Sequence, residues 1–217
     1  MMNRFGILIF GVSTLLLFGF VPAKYSANFN KEKKKIDQLT IFNTIVHMVA
    51  NNSSAEYIDS TLMKVNQSLL DSLTNSMLIN KYNVKNAVLQ EIELKKITDL
   101  FEELENSPSL LVNISTKGLL GNLNQVSESK YALMLVYYGQ FNPDLQPHAN
   151  LQSGFVTNSI VINSSTKSYS DMRLMIIDTE NENVVFYDRF HSSNFDARLP
   201  TEVEQMAKKI MKKIYYK

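Results

Sequence analysis

The chain has 217 residues, 45% of them hydrophobic, with 22 Lys and Arg against 21 Asp and Glu, and it contains no cysteine. That composition suits one folded domain with a substantial core and excludes a disordered chain. Near-neutrality leaves no global field for nucleic acid, and the missing cysteine removes disulfides, thiolate metal sites, cysteine nucleophiles and the acylated N-terminal cysteine of bacterial lipoproteins.

Residues 1–23 read as an export signal. Arg4 supplies a positive start, residues 5–21 carry no charge, and Val21-Pro22-Ala23 places small residues at −3 and −1 of a cleavage point before Lys24. The apolar run is slightly longer than the ~7–15 residues of a typical signal core and slightly shorter than the ~20 of a spanning helix, so a retained N-terminal anchor is the alternative. Either way the folded part is expected outside the cytoplasm, in the periplasm or beyond, with membrane contact only through residues 5–21 if the leader stays. Residues 24–35, with the basic run "KEKKK" at 31–35, read as a polar linker, and 36–217 as a single domain.

"IDQLTIFNTIVHMVA" (36–50) predicts the first strand. The spacing of Ile58, Leu62, Val65, Leu69, Leu73 and Met77 predicts an amphipathic helix, with Ser53 and Glu56 as its capping box. "NKYNV" (80–84) is a short strand or the exit of that helix. A second helix is predicted over 85–106, with Leu94, Ile97, Phe101 and Leu104 on one face and a stop at Ser107-Pro108. "SLLVNIS" (109–115) is a candidate short strand, followed by a loop. "KYALMLVYYGQF" (130–141) is apolar on both faces and predicts a central strand, with Tyr131, Leu133, Leu135 and Tyr137 on one side and Ala132, Met134, Val136 and Tyr138 on the other. A loop, a strand over 153–163 and a hairpin over 171–190 follow. The final helix carries the stripe Val203, Met206, Ala207, Ile210 and Ile214, with Thr201 and Glu204 as a capping box and lysines in its last turns. This order predicts an α+β, loosely α/β, domain: one mixed sheet with packed helices and a C-terminal helix.

The buried strand "KYALMLVYYG", the hairpin "LMIIDTENENVVFYDRF" and the closing helix "TEVEQMAKKIMKKI" resemble the periplasmic domain shared by the curli-secretion lipoprotein, the lipoprotein activators of penicillin-binding proteins and the TolB-like domains. The resemblance implies that fold and a role in binding other envelope proteins. The chain departs from the group in lacking the lipobox cysteine, in having Asn181 and Asn183 where the turn usually has Gly, and in having Phe186 and Tyr187 where Trp is frequent.

No catalytic motif stands out. His47, His148 and His191 are far apart and have no metal-ligand spacing; "LQSGF" is not a nucleophile elbow; there is no phosphate-binding glycine loop; "DTENEN" has only part of a calcium loop. No cofactor is therefore expected. Asp178, at the end of a hairpin strand, reads as an Asx-turn former. Asp188 and His191 flank Arg189 on the second hairpin strand, and the three suggest a sheet-edge ion pair. A hydrolytic site built from Asp178, Asp188 and His191 is the least favoured alternative. The tyrosines and phenylalanines of the late strands read as core, with a sticky sheet face as the other option, and Tyr215 and Tyr216 lie beyond the last apolar stripe as interaction candidates. Sequons occur at Asn51, Asn52, Asn66, Asn113 and Asn163. The functional expectation is a non-enzymatic envelope protein that binds envelope proteins or itself. The alternative is a secreted small-ligand or glycan-binding domain.

Overall fold

The computed structural model describes residues 22–52, 55–89, 93–118, 123–147 and 168–214. The elements run β1 (Lys24–Ser26), α1 (Ala27–Glu32), β2 (Gln38–Phe42), β3 (Ile45–Asn51), β4 (Glu56–Ile58), α2 (Ser60–Leu78), β5 (Asn83–Ala87), α3 (Leu94–Asn106), β6 (Leu110–Leu111), α4 (Leu123–Val126), β7 (Tyr131–Phe141), β8 (Tyr169–Asp178), β9 (Asn183–Ser192) and α5 (Pro200–Met211). The sheet is mixed, in the order β4-β3-β7-β8-β9-β1-β6, with β2 also beside β7 and β5 beside β2. This is the α+β architecture that the element order predicts.

β7 is the centre. It pairs in parallel with β2 and β3 on one side and antiparallel with β8 on the other. Its two faces feed two cores. Tyr131, Leu133, Leu135 and Tyr137 pack with Leu70 and Leu78 of α2 and with Val203, Met206 and Ile210 of α5. Ala132, Met134 and Val136 pack with Ile97, Leu100, Phe101 and Leu104 of α3. The period-2 assignment of its side chains thus holds position by position, because a strand covered on both faces must be apolar on both. Gly139 sits where a Cβ would lie 2.5 Å from Ala197 Cβ and from Met48 Cε, so the loop before α5 approaches the sheet closely only because that side chain is missing.

Several local expectations are corrected. Residues 24–35 are not a linker. β1 lies between β9 and β6, Phe29 of α1 is buried, and Lys24 is almost fully enclosed. Its ammonium donates to the carbonyls of Leu104 (2.6 Å), Glu105 (2.9 Å) and Ser107 (2.6 Å) at the C-terminal end of α3. A lysine-rich stretch hides a buried role when one ammonium can satisfy the orphan carbonyls of a helix end. The first predicted strand is two, broken at Asn43-Thr44, where the Thr44 N–H donates to Asp71 Oδ1 (2.7 Å).

The first helix begins after Asp59, whose carboxylate accepts from the Leu62 N–H (2.9 Å), so the Ser53–Glu56 capping box is not used; Glu56 and Ile58 belong to the edge strand β4. Its buried line is Asn66, Leu70, Thr74 and Leu78. Two polar members masked that line in the sequence, and Val65 is exposed. Asn66 is enclosed and donates to the Ala197 carbonyl (3.0 Å), which removes it as a glycan acceptor. The second predicted helix is β5 and then α3, with Leu100 on the buried face and Leu94 partly exposed. At α5, Leu199 is the N-cap and Pro200 the first residue; Glu202, not Glu204, reaches back to accept from the Asp196 N–H. The strand expected over 153–163 lies outside the described residues.

Candidate binding surfaces

Among the described residues, α3 packs on the lower part of its sheet face, and the upper part is half-buried. Register fixes what is displayed there. Met134, Met175 and Tyr187 lie side by side under α3; one step on, Val136, Arg173 and Arg189 align; one step further, His47, Tyr138, Asp171 and His191 form a row across β3, β7, β8 and β9. The face therefore passes from apolar to ionic to aromatic within a few residues, the period-2 consequence of "Y-x-D-x-R-x-M" in β8 and "Y-x-R-x-H" in β9.

The ionic step is a closed quartet. Arg189 makes a fork-shaped pair with Asp171 (Nε to Oδ1 2.9 Å, Nη2 to Oδ2 3.0 Å) and donates to Glu105 of α3 (2.8 Å). Arg173 meets the same two carboxylates at 2.8 and 3.2 Å, and its guanidinium lies 4.6 Å from the centre of the Phe101 ring. Two cations and two anions cancel, as groups this far out of water must. Tyr187 donates to Glu105 (3.0 Å) and Tyr169 to Asp171 (3.3 Å). Burial opposes the charge on Arg189, but its bonds to Asp171 outweigh that and raise its pKa further. Burial also raises the Tyr187 and Tyr169 phenols, with Glu105 and Asp171 beside them adding to it.

The aromatic step stands on that base. His47 stacks on Tyr138 (centroids 5.5 Å apart), Tyr138 meets Tyr169 edge-on (5.7 Å), and Tyr169 contacts His191 (4.6 Å). His47, Tyr138 and Tyr169 are half-buried and His191 is exposed. Burial lowers the pKa of His47, which favours the neutral ring. A shallow cleft of about 220 Å3 beside α3, lined by Phe101, Glu105 and Arg173, continues the surface.

A second feature lies at the opposite end of β8 and β9. A cleft of about 440 Å3 is lined by α1, the chain around β6, the start of β7 and the β8–β9 turn. Asp178 borders it. The carboxylate of Asp178 accepts from the N–H groups of Glu180 and Asn181 (both 3.1 Å) and from the Asn181 side chain (3.0 Å), which is an Asx-type turn. Glu182, not an asparagine, takes the left-handed backbone position (φ 51°).

The three residues of the hydrolytic alternative do not meet. Asp178 pairs with Asn183 at the turn, while His191 pairs with Asp171 seven residues up the ladder, about 24 Å away at strand spacing. Asp188 points to the other face, toward α5, where it is enclosed and bound by Lys213 (2.9 Å); burial raises its pKa and Lys213 partly offsets that. Arg189 thus pairs with Asp171 and Glu105 rather than with Asp188. Among the described residues no group of His, Asp and Glu could hold a metal ion. Tyr215, Tyr216 and His148 lie outside the described residues. Sequence reasoning missed Asp171, Arg173 and Glu105; the polar residues at every second position of β8 were the available signal.

Among the described residues no helix is long and apolar enough to cross a membrane. The chain matches no protein-family model and no curated protein. Among solved structures it is similar to the PelC dodecamer of Paraburkholderia phytofirmans (9% identity, 83% of this chain and 89% of that one, TM-score 0.37). It is also similar to a neuraminyllactose-binding hemagglutinin homolog from Helicobacter pylori (8%, 84% and 82%, TM-score 0.41) and to a DUF330 protein from Xanthomonas campestris (9%, 83% and 83%, TM-score 0.38). These matches replace the expected curli-secretion, penicillin-binding-protein-activator and TolB-like group. A hairpin after a buried strand, which carried that resemblance, is common to many mixed sheets.

Proposed function

We propose that this is an exported, non-enzymatic binding protein that holds another envelope protein, or a second copy of itself, against the row His47, Tyr138, Tyr169 and His191. The observation that carries this reading is that row: four rings in contact on a sheet face, three half-buried and His191 exposed, seated on an ionic base of two arginines and two carboxylates. Tyrosine presents a large amphipathic surface with little rotamer freedom to lose, and Asp171 already orders Tyr169, so a partner has less to immobilise on docking. The export signal read at residues 1–23 supports a site of action outside the cytoplasm. The charges beside the rings are consumed by one another, and burial raises the Tyr138 and Tyr169 phenols away from activation, which favours binding over catalysis.

The test compares the native protein with the double variant Y138A/Y169A after cross-linking in cells, with mass spectrometry of the captured chains and sedimentation for self-association. The rings are half-buried, so the variant should lose several degrees of melting temperature yet stay folded, while losing the specific partner or the self-contact. Identical capture by both proteins, with the variant folded, overturns the reading.

A further inference from the structure

The cleft at the β8–β9 turn has the size of a small-ligand site: about 440 Å3, against the roughly 300–1,000 Å3 usual for such sites. Its lining is mixed: Asn28, Asn113, Asn183 and the turn are polar, and Leu110 and Val112, 51% and 67% exposed, are aliphatic. Asn113 holds a left-handed backbone (φ 51°) as the chain leaves β6, so this cleft residue sits at a sharp turn that most side chains avoid.

The ionised side chains of the cleft, two carboxylates and one ammonium, are already engaged. Glu32 accepts from the Tyr131 hydroxyl (2.9 Å) and faces Lys130 (3.5 Å), and the Asp178 carboxylate is taken up by three donors of the turn. No surplus cation is left to attract a phosphate or a carboxylate. The remaining recognition groups are neutral amides together with aliphatic surface, which complements a molecule with hydroxyls at its edges and C–H groups on its faces. We propose that this cleft binds a neutral, polyhydroxylated ligand the size of a mono- or disaccharide. The site is separate from the aromatic row. One wall of the cleft is the N-terminal stretch from Ser26 to Glu32, so occupancy also fastens β1 and α1 to the domain.

The experiment titrates the purified full chain with glucose, galactose, N-acetylglucosamine and lactose, with inorganic phosphate and spermidine as charged probes, followed by NMR shifts and hydrogen exchange. The expected result is saturable binding of at least one neutral sugar, with shifts at Val112, Asn113 and Asn183 and slower exchange over residues 24–32. N183A and N113G, the second keeping the left-handed backbone available, should each weaken that binding about tenfold, as the loss of one or two neutral hydrogen bonds predicts. Y138A/Y169A should leave it unchanged, which separates this site from the aromatic row. Shifts caused only by phosphate or spermidine, sugar shifts confined to the aromatic row, or no sugar response overturn the proposal.

Discussion

Glu182 shows how a single residue can oppose the element it belongs to. The β8–β9 turn needs one left-handed residue, and the chain places a glutamate there, between two asparagines that would accept the position more easily. E182G should raise stability by about 0.5–1 kcal/mol, read as a higher urea midpoint, since relief of the backbone outweighs the added freedom of glycine in the unfolded chain. Tyr131 gives a pH signature. Burial, and then its hydrogen bond to Glu32, push its phenol up to about 12, above an unfolded value near 10. The stability tied to that phenol is complete below about pH 10 and is lost as pH rises through about 12. Y131F should therefore lose less stability than the native protein across that interval in parallel urea titrations. At this scale the Asx turn of Asp178 was legible because its signal is local. The partners of Arg173 and Arg189 were not, since Glu105 reaches them only through tertiary packing.

Helices and strands were legible where their pattern was purely apolar. The two-faced β7 and the α5 stripe follow the predicted positions, because burial there is not shared with polar side chains. α2 was displaced by about one position because Asn66 and Thr74 stand on its buried line. β1 and α1 escaped notice altogether. Their buried members, Lys24 and Phe29, sit in a stretch whose composition is that of a linker. Lys24 is a pin between elements: it closes the end of α3 and holds β1 beside it. K24M, which keeps the stem and removes the ammonium, should cost about 2 kcal/mol or more by leaving those carbonyls without a donor. Hydrogen exchange should show the loss first in residues 24–26 and the last turn of α3. Unchanged protection there would mean that β1 is held by strand pairing alone.

The described residues form one sheet with a core on each side, and β7 and β8 belong to both cores. Neither core can melt without exposing the strands that seal the other. L70A on the α2 side and L104A on the α3 side should each cost about 2–5 kcal/mol. Each should shift a single transition, with far-ultraviolet circular dichroism and tyrosine fluorescence coinciding. Two separated transitions in either variant would show that the layers fold independently. The sequence by itself determined the α+β class, the central strand, the hairpin and the closing helix. Those depend on periodicity and turn chemistry, which act within a few residues. Only the tertiary structure decided that the N-terminal stretch is part of the sheet, that Asp171 and Glu105 share two arginines, and that His47, Tyr138, Tyr169 and His191 form one row. Each of these joins side chains from strands and helices far apart in the chain, and that pairing is set by sheet order and register, which no local pattern encodes.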